Sequence, residues 1–209
     1  MGARLSDSRH KDVLSGGSTK GKGRYGLIVV LCMFLMVSLT SCSGGGRNSN
    51  SSTSQLPTYT QKFLYVANHE SSDVYAYAIA DDGTLSPVGD PVMAGGFPES
   101  ITADPLGRFV YVANWNDTIN TYIIGANGAL TELSGSTVTA GSTPESVTVD
   151  PSGRFVYVAN RVSGDVYTYS IADNGVLTPL GSPILLPSGE LPPYPETIAA
   201  DPLGRFVYV

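Results

Sequence analysis

The chain has 209 residues, with 12 Lys and Arg against 18 Asp and Glu, a formal net charge of −6 and two cysteines. An acidic surface with few, scattered cations excludes nucleic acid and anionic lipid surfaces as partners. The cysteines stand at positions 32 and 42, so no disulfide framework supports the rest of the chain and its fold relies on its core alone.

Residues 1–42 read as a leader outside the fold. Lys20, Lys22 and Arg24 precede an apolar run from Gly26 to Leu39, long enough for a signal-peptide core but short of the roughly 20 apolar residues of a bilayer span. The run ends in Leu39-Thr40-Ser41-Cys42, which resembles the lipobox of bacterial lipoproteins. The resemblance implies cleavage before Cys42 and its acylation; Ser43 rather than Asp after it implies sorting to the outer membrane. More than one acyl chain gives firm anchoring, whereas one alone is marginal. An uncleaved anchor or an ordinary secretory signal is the alternative. On the lipoprotein reading the protein sits in the bacterial cell envelope, periplasmic or surface-exposed. The leader holds six basic and two acidic residues, which leaves six and sixteen in residues 43–209, a net −10, with His69 as their one histidine.

Residues 43–61, rich in Gly, Ser and Asn, form a flexible tether. From Lys62 the chain repeats itself. Phe63-Leu64-Tyr65-Val66-Ala67-Asn68 recurs as Phe-Val-Tyr-Val-Ala-Asn at 109–114 and 155–160, and again as Phe206 to Val209. The units are 62–107, 108–153 and 154–204, with the start of another at 205–209. Each predicts four short strands. Arg108–Ala113 is apolar on both faces and should be buried on both. Asp165–Ile171 alternates with period two. After Asp82-Gly83, Asn127-Gly128 or Asn174-Gly175, pairs suited to left-handed hairpin turns, a third strand runs through Leu130–Leu133. The fourth is Glu145–Val149. It ends in Asp150-Pro151-Ser152-Gly153, or Asp-Pro-Leu-Gly at Asp104 and Asp201, a type I turn in which Pro presets φ and Gly takes a positive one.

Four strands per unit of 40–50 residues, with no helical period, predict an all-β fold, a β-propeller; a β-sandwich is the rival. Three blades plus one strand fall short of the four blades that closure needs, so the sequence reads as a piece of a longer protein.

The repeats resemble the bacterial β-propeller lactonase family, which includes the propeller-type 6-phosphogluconolactonases, and the related propellers of Tyr-Val-Thr-Asn repeats. The resemblance rests on Pro-Glu-Ser at Pro98 and Pro144, on Asp-Pro-Leu/Ser-Gly-Arg-Phe-Val-Tyr-Val-Ala-Asn, and on the stretch from Ala172 to Leu180. It covers residues 62–209 and implies a seven-bladed ring, of which about half is here. Lactonase members characteristically carry Pro-Arg-His at the start of an innermost strand and Asn-Glu after the Tyr-Val strand. This chain has Pro98-Glu99-Ser100, Pro144-Glu145-Ser146 and Pro195-Glu196-Thr197 at the first place, and Asn68-His69, Asn114-Trp115 and Asn160-Arg161 at the second. The resemblance therefore carries the fold and no catalytic residue; groups that activate water would lie in further blades.

Strand alternation puts the loops after Asn68, Asn114 and Asn160 on the same face as the segments entering the Pro-Glu strands, and the Asp-Pro turns on the opposite face. The second face repeats nearly unchanged, whereas the first varies and takes the insertion 186–194; in repeat proteins such variation gathers on the binding face. His69, Trp115 and Arg161 occupy one equivalent position and differ in every unit. They are candidate ligand contacts, or else ordinary loop drift. Glu99, Glu145 and Glu196 also share a position. They form either a ring of carboxylates at the channel mouth that attracts a cation or a structural feature of each blade junction. One histidine and no free thiol give no zinc site, no acidic orienter or nucleophile is identifiable beside His69, and no cofactor is expected. The leading function is a lipid-anchored scaffold that binds a small molecule or a surface partner. The alternative is a lactonase-type hydrolase opening a sugar lactone.

Overall fold

The computed structural model describes residues 27–32, 62–188 and 193–209. The apolar, β-branched repeat segments form antiparallel sheets that stack as successive blades, and no helix occurs among the described residues. The first sheet contains β1 (Leu27–Cys32), β2 (Lys62–Asn68), β3 (Asp73–Ile79), β4 (Leu85–Pro87) and β5 (Val92–Met93). The second contains β6 (Pro98–Ala103), β7 (Phe109–Asn114), β8 (Thr118–Ile124), β9 (Leu130–Glu132) and β10 (Val138–Thr139). The third contains β11 (Pro144–Val149), β12 (Phe155–Asn160), β13 (Asp165–Ile171), β14 (Leu177–Pro179) and β15 (Ile184–Leu185). Paired β16 (Ala199–Ala200) and β17 (Val207–Tyr208) begin a fourth blade.

The second and third blades have one plan. A Pro-Glu strand lies innermost, followed by the Phe-Val-Tyr-Val strand, the alternating strand and an outer edge. All six residues of β7 are buried, as a strand apolar on both faces requires. The outer edge departs from the single strand that the sequence suggests. It is split into β9 and β10, both paired to β8, and likewise into β4 and β5 or β14 and β15. Gly89, Gly135 and Gly181 stand in these breaks at φ 65, 72 and 71°. A left-handed residue interrupts the ladder and shortens the exposed edge.

In the first blade, residues Leu27–Cys32 take the innermost place, with backbone pairing from Leu27 to Asn68 through Cys32 to Phe63. The sequence reading left this segment outside the fold as part of a leader. An apolar run rich in Val, Ile and Leu also meets the requirement of a strand enclosed on both sides, so composition alone does not separate the two fates.

The core lies between blades. Phe63, Tyr65 and Val74 of the first blade pack with Ile101, Val112 and Tyr122 of the second, and Phe109, Tyr111 and Ile119 of the second with Val147, Val158 and Tyr169 of the third. Burying each such side chain stabilises the fold by roughly 1.5–3 kcal/mol. Polar links fix the spacing. The hydroxyls of Tyr122 and Tyr169 donate to the Met93 and Thr139 carbonyls of the preceding blade at 2.5 and 2.6 Å. The Ser100 hydroxyl accepts from the Val147 amide, and that of Ser146 from the Ile198 amide, both at 3.1 Å. The serine of Pro-Glu-Ser thus joins each innermost strand to the next.

Candidate functional site

The loops after Asn68, Asn114 and Asn160 are short turns that return the chain into β3, β8 and β13. The asparagine anchors each. Its side-chain amide donates to Asp73, Asn120 or Asp165, each at 2.9 Å. The segments entering the innermost strands lie against these turns, as strand alternation predicts. The Trp115 amide donates to the Phe97 carbonyl at 3.0 Å, and the Arg161 amide to the Thr143 carbonyl at 2.8 Å.

Phe97 and Thr143 have φ of 48 and 55°, directly before Pro98 and Pro144. A residue before proline is normally driven to extended conformations, so both carry backbone strain. Hydrogen bonds from the preceding blade hold them there. The Phe97 amide donates to the Ser72 hydroxyl at 3.0 Å, and the Thr143 amide to the Asp117 carboxylate at 2.7 Å.

The innermost strands then bulge at the glutamates. Pro98 pairs with Asn114 and Ser100 with Ala113, leaving Glu99 as the extra residue; Pro144, Glu145 and Ser146 repeat this against Asn160 and Ala159. A bulge re-aims a side chain that regular pleating would turn elsewhere. At Glu99 the carboxylate meets the loop of the preceding blade. Glu99 lies 3.1 Å from the His69 Nε2, and Glu196 lies 3.9 Å from the Arg161 Nε. Each contact crosses a blade junction.

The six residues singled out in the sequence therefore fall into two groups and a remainder. His69 and Glu99 form the first group, joined by Trp115: the His69 ring is 5.3 Å from Phe97 and 6.2 Å from Trp115, and Phe97 meets Trp115 edge-on at 6.3 Å. Phe97 and Trp115 are about half exposed, at 47 and 52%, so the cluster offers aromatic surface to a ligand. The His69 Nδ1 is buried without a hydrogen bond, 3.6 Å from a Glu70 carboxylate oxygen. Arg161 and Glu196 form the second group, with the guanidinium 5.3 Å above the Tyr194 ring. Glu145 joins neither.

The sequence reading found no acidic orienter beside His69. Glu99 fills that place from thirty residues away, a distance that only the register of neighbouring blades closes. Phe97 and Tyr194 also escaped it. A signal was available, because both stand directly before the proline of a Pro-Glu pair, where the second repeat has Thr143; the comparison of repeats that exposed position 69 extends to this one. Among the described residues, no three His, Cys, Asp or Glu side chains cluster closely enough to hold a metal ion.

The opposite face has different chemistry. Asp150 accepts from the amides of Ser152, Arg154 and Phe155 at 3.0, 2.8 and 2.7 Å and from the Ser152 hydroxyl. Burial alone would raise its pKa, but these donors outweigh burial and hold it below the usual carboxylate value. Asp104, buried, binds the Arg108 Nε at 2.6 Å, and that guanidinium also reaches the Gly153 carbonyl in the next blade at 3.2 Å.

The sequence matches the seven-bladed β-propeller lactonase family over residues 32–118 and 114–191. Solved structures share the fold. A putative 6-phosphogluconolactonase from Bacteroides fragilis superposes with a TM-score of 0.57 at 22% identity, over 65% of this chain and 37% of its own. The periplasmic gluconolactonase of Pseudomonas aeruginosa gives 0.57 at 22%, over 69 and 46%, and the hydrazine synthase of Kuenenia stuttgartiensis 0.55 at 18%, over 72 and 38%. The chain spans less than half the length of each. At these identities the likeness is one of fold, and one propeller carries unrelated chemistries. No curated protein matches the sequence.

Proposed function

The chain belongs to the seven-bladed β-propeller lactonase family, and from that membership we propose that the full-length protein opens a lactone, a sugar lactone being the best fit, at the face carrying His69, Glu99, Phe97 and Trp115. The observation that supports this most is the His69–Glu99 contact beside two half-exposed aromatic rings. Aromatic rings stack on the apolar face of a sugar, carboxylates accept its hydroxyls, and an imidazole held by a carboxylate is a candidate base for the attacking water. The His69 Nδ1 is buried 3.6 Å from a Glu70 carboxylate oxygen and would have to be uncovered before it could meet the attacking water. Stabilising the oxyanion falls to groups in the remainder of the ring.

The reading extends to place. Leu39-Thr40-Ser41-Cys42 supports a lipid anchor at Cys42 in the cell envelope, which would confront the site with exported or environmental lactones. Cleavage before Cys42 would also remove β1 and bare the inner edge of β2, so an anchored form needs another strand there. A binding scaffold without turnover is the second reading, supported by the variation among His69, Trp115 and Arg161.

One set of measurements separates these readings. Membrane and soluble fractions of cells expressing the full-length protein, wild type or Cys42→Ala, are assayed with glucono-δ-lactone and its 6-phosphate. The expected result is heat-labile turnover above the spontaneous rate, membrane-bound only with Cys42, and about 100-fold lower in His69→Ala. Ring opening at the spontaneous rate leaves the scaffold. Turnover unchanged in His69→Ala removes His69 as the base.

A further inference from the structure

At two blade junctions the residue before proline is held at a positive φ, Phe97 at 48° and Thr143 at 55°. Both close the junction alike. The Phe97 carbonyl accepts from the Trp115 amide at 3.0 Å, and the Thr143 carbonyl from the Arg161 amide at 2.8 Å. A small polar side chain therefore satisfies the backbone at this place. A bulky one adds strain, because glycine, and after it asparagine, suits a positive φ best. Glycine fills the two preceding positions, Gly95 and Gly96, at φ 93 and 146°. The Phe97 ring stands outside the core between the blades and is 47% exposed, so burial offsets little of its strain. It lies instead against His69 at 5.3 Å and edge-on to Trp115 at 6.3 Å.

We propose that Phe97 is the specificity-determining residue of the lactone site, a platform that stacks on the closed ring of a sugar lactone and releases the opened chain. This role rests on the lactone reading and adds to it a means of telling substrate from product. A lactone ring is rigid and uncharged, and its C–H face matches an aromatic ring. Hydrolysis breaks the bond between the acyl carbon and the ring oxygen. The hydroxyl of water joins the carbon, its proton goes to the ring oxygen, and the acid so formed loses a proton to solvent. The product is a flexible anion. It offers Phe97 no rigid face, so holding it costs conformational freedom. Its charge is also opposed by the Glu70 and Glu99 carboxylates, 3.6 and 3.1 Å from the two ring nitrogens of His69. Backbone strain persists where neighbouring contacts enforce it; here the Ser72 hydroxyl accepts from the Phe97 amide at 3.0 Å and keeps the ring beside His69.

The test uses the full-length protein as wild type, as Phe97→Asn, which suits a positive φ but lacks the ring, and as Phe97→Tyr, which restores the ring. Initial rates follow turnover of glucono-δ-lactone. Calorimetry follows binding of glucono-δ-lactam, a stable ring analogue, and of gluconate. In Phe97→Asn the expected result is a KM about 10-fold higher, a kcat changed by less than about twofold, and a thermal midpoint equal to or above that of the wild type. The lactam should bind wild type and Phe97→Tyr about 10-fold more tightly than gluconate does, and this preference should vanish in Phe97→Asn. Phe97→Thr, which takes the residue of the second junction, gives the same results should the asparagine variant fail to fold. An unchanged KM in a folded variant, or equal affinity of the wild type for lactam and gluconate, would overturn the proposal and leave the lactone reading standing. No turnover by the wild type, with ring-selective binding that Phe97→Asn abolishes, would overturn the lactone reading and keep Phe97 as the platform.

Discussion

The two faces of the blades obey different rules. On the turn face, each repeat places the same residue types at the same positions. Asp104 and Asp150 close their turns through backbone amides or an arginine, and Gly107 and Gly153 complete them at φ 71 and 68°. On the mouth face, backbone contacts recur while side chains change. The turn after the asparagine persists but carries His69, Trp115 or Arg161; the strained residue before proline and the bulged glutamate after it recur at Phe97–Glu99 and Thr143–Glu145, while the side chain before the proline changes. One face fixes geometry through its chemistry; the other keeps geometry fixed so that its chemistry can vary. Substitutions should therefore affect stability on the turn face and recognition on the mouth face.

The largest effect tests the turn face. Gly83 and Gly128 occupy equivalent hairpin turns with the same φ of 85°. A Cβ on Gly128 would come within 2.2 Å of the Phe63 ring of the preceding blade, whereas one on Gly83 would meet nothing within 4 Å. Gly83→Ala bears only the backbone penalty, about 1 kcal/mol. Gly128→Ala adds displacement of a core phenylalanine, about 1–3 kcal/mol more. Denaturant melts of the two variants isolate that difference, and equal losses would show that the Phe63 contact contributes nothing.

The next effect depends on pH. The Asp150 pKa lies below its ordinary value of 3.8 in the folded protein. The unfolded chain therefore binds the proton more readily, and stability rises with pH through this range. The contribution is fully present above the unfolded value and is lost as pH falls through the folded one. Asp150→Asn should cost about 1–2 kcal/mol at neutral pH, because the acceptor loses its charge. It should also flatten the acid side of the stability curve; an unchanged acid limb would assign that slope to other carboxylates.

This division explains how much the sequence revealed. The all-β propeller, the boundaries near Phe109–Asn114 and Asp165–Ile171 and the separation into faces follow from local signals, namely a period of two, turn dipeptides and repetition. Each works within a few residues. The His69–Glu99 contact depends on how one blade seats against the next, and no local pattern encodes that seating. The split outer edge was written in Gly89, Gly135 and Gly181, but a lone glycine in a strand does not announce where pairing resumes. A signal core and an innermost strand share a composition, so the sequence of Leu27–Cys32 suits both roles.

The smallest stability effect belongs to the mouth face and is the sharpest test of the contrast. His69 and Glu99 are each about a quarter exposed or less, at 20 and 25%, and they meet across a junction already held by Ser72 on Phe97 and by the core between the blades. A partly buried pair whose histidine is charged only when protonated, at a junction already held by other contacts, contributes modestly, about 1 kcal/mol. Glu99→Gln, which keeps the shape and removes the charge, should therefore leave the melt nearly unchanged. Its consequence should appear in ligand response, since the imidazole loses the carboxylate that orients it while the aromatic surface of Phe97 and Trp115 remains. A double-mutant cycle with His69→Ala measures the coupling. A coupling above about 2 kcal/mol would make the pair a structural clasp like those of the turn face and would dissolve the distinction between the faces at this junction.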